Sequence, residues 1–419
     1  MTALVGILNK HGAVIAADSA VTVTKGDKIR IYNTATKIFP LSDKYPIAAM
    51  IFESSDFMTT PWDVIFKLYK ERRGDRQHDT VRDYAEDFLD FLHDEDYFTN
   101  EDGQDDWFCM ELAQYYQKVR QGTVEEFKER TANLKEGSYD EDDLIKQCVK
   151  YCIGRISHIV EEGGVLPTFK KLSYSSFLEY HEDWLKDLNE QFDEDGMPHG
   201  LDEDWQQGFY KYLCSKLFLL GTGIVLVGYG SKEIYPALLP VYLAGVIGNR
   251  LRGYIDYDEI TEVGKNYSSS ICPFAQTDVM NTLMRGINPS LQEKVLSENE
   301  QAVAAAKERI IELLQSEGVE KSVIEKVKTM PSDEICDKFS KDLKDEIQSE
   351  FLDGIVDSVD SFNLEDMANM AESFISMTNL QRHISSSDET VGGPIDVAVL
   401  TCSGGFEWVK HKKFPADGR

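Results

Sequence analysis

The sequence predicts an α+β fold: two antiparallel sheets enclosed by helix layers, interrupted by two helical insertions. Three observations carry this expectation. Short apolar runs bounded by turn residues fill residues 1–60 and return over 217–260 and 393–409. The stretches between them repeat apolar residues at 3.6-residue spacing, the signature of helices. Strand faces this apolar bury themselves only against another sheet or a helix layer. The core therefore maps to residues 1–60, 217–288 and 357–412, a single domain interrupted by insertions at 61–216 and 289–356.

Residues 3–8 read as a buried strand, the turn 9–12 follows, and residues 13–17 return as a second strand of a hairpin. Residues 28–32 alternate polar and apolar, and 36–41 and 46–52 complete a strand-rich block. In the first insertion Val81, Tyr84, Ala85, Phe88, Leu89 and Leu92 share one helix face, and acidic connectors (94–106, 139–143, 193–204) hold much of the excess negative charge. Strands resume at 223–228, 237–247 and 252–255, and a helix is expected over 273–285. The second insertion is charged and helical, clearest at 302–314. Leu364, Met367, Ala368, Ala371, Ile375 and Thr378 line one face of a further helix, and residues 393–409 close the chain as a hairpin.

The chain carries 74 acidic against 44 basic residues, a formal charge of -30 over 419 residues, which repels phosphate backbones and anionic membranes. No nucleic-acid or membrane partner is expected. The longest apolar run, near 217–227, is too short to span a bilayer, and no basic-then-apolar leader opens the sequence, so a cytoplasmic location is expected. Seven dispersed cysteines show no metal-ligand spacing; Cys148 and Cys152 fall on one helix face as buried thiols. Neither a metal nor another cofactor is expected. The acidic run from Asp94 to Gly103 lacks the ligand order of a calcium loop.

Three residues suggest chemistry. Thr2 follows Met1, and Met1 removal would leave a residue bearing a hydroxyl and a free α-amine, whose pKa of about 7.7–8.0 suits general-base work. Threonine activated by its own amine is a recognised nucleophile arrangement. Asp18 stands where a buried strand ends, and Lys37 lies within Thr36-Lys37-Ile38-Phe39. Alone, Asp18 reads as a turn cap and Lys37 as a solvent-facing strand residue. Together, a lysine beside Thr2 favours the alkoxide, and Asp18 holds that lysine.

The segments Thr2-Ala3-Leu4-Val5-Gly6, Gly12 to Ser19 and Thr36 to Pro40 resemble the proteasome β subunits and the related bacterial proteasome-like protease. The resemblance implies a four-layer αββα N-terminal-nucleophile hydrolase sandwich, with Thr2 as nucleophile, Lys37 lowering its hydroxyl pKa and Asp18 orienting Lys37. It extends to Ser270-Ile271-Cys272-Pro273-Phe274-Ala275, which makes Ser270 the counterpart of a supporting serine at the opening of a central helix. It also extends to residues 387–393, which gives Asp388 the place of a matching acid. The family's Gly-rich segment, source of the oxyanion-hole N–H, aligns with residues 50–55. Ala20, Met50, Phe52, Glu53 and Ser54 are accordingly expected along the substrate. Departures fall around this core: Val391 replaces a site serine, Phe52 and Glu53 replace small residues, and Ala20 stands where arginine is common.

The resemblance implies a threonine-type amidohydrolase, a peptidase acting on peptides or proteins. By analogy with the family it assembles as a homo-oligomer and works with an ATP-dependent unfoldase. The altered residues also suggest a catalytically silent assembly or interaction protein, and a small-molecule amidase is the third alternative.

Overall fold

The structure, a computed structural model, describes residues 2–25, 28–94, 100–132, 134, 138–181, 185, 200–264, 268–385 and 392–412. The expectations placed on Asp388 and Val391 lie outside the described residues.

The chain opens with β1 (Ala3–Asn9), β2 (Gly12–Ala17), β3 (Val21–Lys25), β4 (Lys28–Tyr32), β5 (Ile38–Pro40), β6 (Ile47–Glu53) and the short pair β7 (Asp56–Phe57) and β8 (Thr60–Pro61). Helices α1 (Trp62–Arg73), α2 (Val81–Asp94), α3 (Glu101–Thr131), α4 (Glu141–Gly163), α5 (Tyr174–Tyr180) and α6 (Asp202–Leu213) follow. Strands β9 (Thr222–Gly228), β10 (Ala237–Ile247), β11 (Arg250–Ile255), β12 (Thr261–Glu262) and β13 (Ser269–Ala275) come next. The chain then runs through α7 (Asp278–Arg285), α8 (Pro289–Ser316), α9 (Lys321–Lys328), α10 (Asp333–Ile347), α11 (Asp353–Ser361) and α12 (Leu364–Ile384) to β14 (Asp396–Thr401) and β15 (Gly405–Lys410). The fold is thus mixed α+β with antiparallel sheets. It divides into two compact units, one comprising Met1–Ile38 with Glu262–Arg419 and the other Phe39–Thr261.

The first unit holds a sheet ordered β13-β1-β2-β14-β15. Every residue of β1 and β2 is buried, so these strands read as continuous apolar runs rather than alternating ones. Helix α12 covers one face: Met367, Ala368, Ala371, Phe374 and Ile375 pack with Ala3, Val5, Ile7, Val14 and Ala16. The small residues on both sides allow the helix to approach closely. Helices α8 to α10 contribute little to this core, burying only Gln292, Ile324 and Ile347.

The expected helix over 273–285 is shorter and later. Pro273 still belongs to β13, which pairs along β1 as far as Ala3↔Ala275, and α7 begins at Asp278. Pairing with a buried neighbour strand outweighs the local helical pattern there.

The second unit is built on a sheet ordered β11-β10-β9-β6-β5. Ile47, Ala49, Ile51, Ile224 and Leu226 pack against Trp62, Phe66 and Phe88 of α1 and α2. A separate core joins α3, α4 and α6 through Tyr115, Tyr116, Val149, Ile153, Phe209 and Tyr212. Within it Arg252 reaches Glu111 at 2.6 Å, both side chains fully buried. Arg252 also donates to the carbonyl of Leu213, and the Tyr212 hydroxyl donates to Glu111. Where the acidic connectors of the first insertion are described they include helix starts: Asn100 and Asp140 cap α3 and α4, and Glu101, Asp102, Glu141, Asp142 and Asp143 fill their first turns. Carboxylates there complement the helix dipole.

Candidate active site

All of the site's closely joined residues come from the first unit. Thr2 immediately precedes β1, and Asp18 immediately follows β2, its hairpin partner. The pairing Leu4↔Ala17 brings the two ends side by side, and the Asp18 N–H donates to the Ala3 carbonyl at 3.1 Å. Lys37 sits just before β5 and turns inward, 3% exposed.

The Lys37 Nζ donates to Asp18 Oδ1 at 2.7 Å and to Thr2 Oγ1 at 2.9 Å. Asp18 also accepts from the backbone N–H of Ala3 through Oδ1, and from Ala20 and Gly392 through Oδ2. Its carboxylate is thereby held by four donors, which fixes its plane and, through it, the lysine. Burial lowers the Lys37 pKa from its usual value, opposed by the attraction of Asp18; the neighbouring ammonium of Lys412 lowers it further. A cation so placed, with the Thr2 hydroxyl oxygen and the Asp18 carboxylate as its hydrogen-bond partners among the described residues, polarises the Thr2 Oγ–H bond toward alkoxide character. Chemically, the arrangement can hold a nucleophilic hydroxyl with a charge-stabilising cation 2.9 Å away.

A second buried ion pair lies behind the first. Lys412 Nζ donates to Asp396 Oδ2 at 2.6 Å, to Ser19 Oγ at 2.9 Å and to the carbonyl of Ala35 at 2.5 Å. Ser19 adjoins Asp18, and Ala35 lies two residues before Lys37, so one ammonium ties together the segments that carry both residues. The Ala35 N–H donates to the Ser19 carbonyl at 3.1 Å, and the Ser19 hydroxyl donates to the Pro394 carbonyl at 2.7 Å. His411 Nδ1 meets Asp396 Oδ1 at 3.1 Å and its ring stacks on Trp408. Two lysines and two aspartates therefore balance in charge within one buried cluster. Sequence reading missed Lys412 and Asp396 because they lie far along the chain and follow no local spacing; an aspartate opening a buried strand was the available signal.

Ser270 is not brought to Thr2. It pairs with Leu8 in the β1–β13 register, six positions along the strand from Thr2, about 20 Å at ~3.4 Å per residue. Its hydroxyl lies 3.4 Å from the Cys272 sulfur instead. The part of this segment that reaches Thr2 is its end, where the Gln276 N–H donates to the Thr2 carbonyl at 3.0 Å. Ala275, next to it, adopts φ 63°, a conformation side chains avoid, and this turns the chain from strand toward α7.

Ala20 is fully buried beside Asp18. The remaining expected substrate contacts belong to the second unit. Met50 is fully buried within β6, and Phe52 is 7% exposed with its ring edge-on to Tyr242. Neither offers open surface. Glu53 ends β6 and, with Ser54, lines a cavity of that unit. Among the described residues no cluster of His, Cys, Asp and Glu is arranged to hold a metal ion, and no helix is long and apolar enough to cross a membrane. No protein-family model matches this chain, and no curated protein does either.

Proposed function

We propose that the chain is a threonine-type amidohydrolase of the N-terminal-nucleophile kind, its two sheets forming the αββα sandwich of that class, with Thr2 as nucleophile. The observation that carries the reading is the contact of Lys37 Nζ with both Thr2 Oγ1 and Asp18 Oδ1 in a buried pocket of the fold.

Removal of the residue preceding Thr2 frees its α-amine. Thr2 Oγ then attacks the amide carbon, and its proton passes to the amine, directly or through water. Lys37 stabilises the developing oxyanion on Oγ, while Asp18 keeps Lys37 charged and oriented. Collapse of the tetrahedral adduct breaks the C–N bond, and the protonated amine donates to the leaving group. Water hydrolyses the resulting ester, with the same amine as base. A peptide or protein substrate, a cytoplasmic location, a homo-oligomeric state and an ATP-driven unfoldase partner belong to the same proposal. A small-molecule amide is the alternative substrate.

A second reading, a catalytically silent assembly protein, is favoured by the burial of Thr2, which is only 5% exposed. One measurement separates the two: intact mass and peptide mapping after treatment with a threonine-directed epoxyketone or β-lactone. Hydrolase chemistry requires a processed N-terminus, a single adduct on Thr2, and loss of amide hydrolysis in Thr2→Ala with activity kept in Thr2→Ser. A retained residue before Thr2 with no adduct supports the silent protein and overturns the hydrolase.

A further inference from the structure

The second unit contains a cavity of about 460 Å³. Its walls are mostly apolar, formed chiefly by Phe57, Trp107, Met110, Phe218, Leu220 and Leu243, with Ser54, Thr59 and Thr222 adding polar edges. Two carboxylates border it, Glu53 and Asp56; Asp56 accepts from the Ser55 hydroxyl at 3.2 Å, whereas Glu53 has no hydrogen bond or ion pair to any described residue. Burial raises its pKa above the ordinary glutamate value, and no charged group offsets the effect.

The backbone is irregular at several points around this cavity. Glu53 itself has φ 70°, and Met58 and Thr59, in the tight turn between β7 and β8, have φ 47° and 69°. Elsewhere in the lining the β10–β11 register slips between Leu243 and Gly245, leaving Ala244 at a bulge. Gly245 follows with φ 142°, and a side chain there would strike the Trp107 indole nitrogen at 2.3 Å. Bulges and left-handed non-glycine residues persist where a specific surface must be shaped, and they concentrate at binding sites. Here they shape a recess bordered by the solvent-exposed Glu53.

We infer that this cavity is a binding site for an organic cation, an ammonium or guanidinium group on an apolar body, with Glu53 as its counter-ion. The apolar walls require an apolar body, and its volume lies within the range of small-ligand sites. An unpaired carboxylate at the rim selects a cation over a neutral group of the same shape, because charge-assisted hydrogen bonds are roughly twice as strong as neutral ones. Trp107 and Phe57 add aromatic surface that also favours cations. The inference concerns the second unit alone and does not rest on Thr2 being a nucleophile.

The test compares 4-phenylbutylamine with 4-phenylbutan-1-ol on the full chain by calorimetry at neutral pH. Saturable binding of the amine, about tenfold tighter than the alcohol, is expected. Glu53→Gln removes that difference and leaves alcohol binding unchanged. Met110→Trp, at a 45% exposed wall position, fills the cavity and weakens both ligands. Equal affinity of amine and alcohol for the unaltered chain, a comparison that needs no variant, overturns the inference. So does unchanged amine binding in Glu53→Gln, or absence of saturation at millimolar ligand.

Discussion

Replacing Asp18 by Asn tests the physical account of the buried cluster most directly. All four groups that meet the Asp18 carboxylate are donors: Lys37 Nζ and the N–H groups of Ala3, Ala20 and Gly392. An asparagine amide offers acceptors on one side only, so either orientation turns its NH2 toward donors. Lys37 meanwhile loses its counter-ion at a site where the pair is 3% and 0% exposed, and solvent screening gives no relief. Breaking a buried ion pair by removing one partner costs about 3–5 kcal/mol. With the backbone mismatch added, the upper half of that range is expected, about 4 kcal/mol. For a unit of this size that lowers the melting temperature by about 8–16 °C.

The pH dependence supplies a second, independent signature. Lys37 has a folded pKa below its unfolded value of 10.5. The unfolded chain then binds more protons across the interval between the two, so stability rises with pH there. Without Asp18 the folded pKa falls further, which widens the interval downward. The stability gap between wild type and Asp18→Asn should therefore narrow from pH 7 to pH 10, by about 1.4 kcal/mol for each unit by which the variant's Lys37 pKa drops. Urea denaturation followed by circular dichroism at both pH values measures this. A gap below about 1 kcal/mol at pH 7, or one constant to pH 10, refutes the account.

Lys412→Met leaves Asp396 without its ammonium and removes the like charge that lowers the Lys37 pKa. It should destabilise the chain by about 3 kcal/mol and raise the Lys37 pKa, seen as an upward shift of its ammonium titration by NMR. Arg252→Met strands the fully buried Glu111 carboxyl and should cost about 3–5 kcal/mol, whereas Arg252→Met with Glu111→Leu should recover much of it. Denaturation of the single and double variants decides this, and a double variant no better than the single contradicts it. His181, stacked on Phe108, has its pKa lowered to about 4 by burial. Its neutral form favours folding fully above pH 6.5, and that contribution is lost as pH falls from 6.5 toward 4, about 2 kcal/mol after partial screening. His181→Phe should flatten that part of the stability profile.

The sequence by itself determined the α+β class, the hairpin of β1 and β2, the strands β6, β9 and β10, and the amphipathic α12. In each case periodicity and turn residues are local properties that survive without tertiary context. It also singled out Thr2, Asp18 and Lys37 through the family resemblance of the segments that carry them, and the β1–β2 hairpin sets where Asp18 falls relative to Thr2. Only the tertiary structure decided the rest. Ser270 was expected at Thr2 from a short motif, but antiparallel register carries Ala275 and Gln276 there and leaves Ser270 about 20 Å away. Lys412 and Asp396 join the cluster because sheet order places β14 beside β2, a pairing between strands nearly 380 residues apart. Glu53, a substrate contact by motif, borders a mostly apolar cavity whose other walls come from residues 107–110 and 218–244, segments far along the chain. Local sequence encodes which segments can be strands, while long-range pairing sets which side chains they bring together.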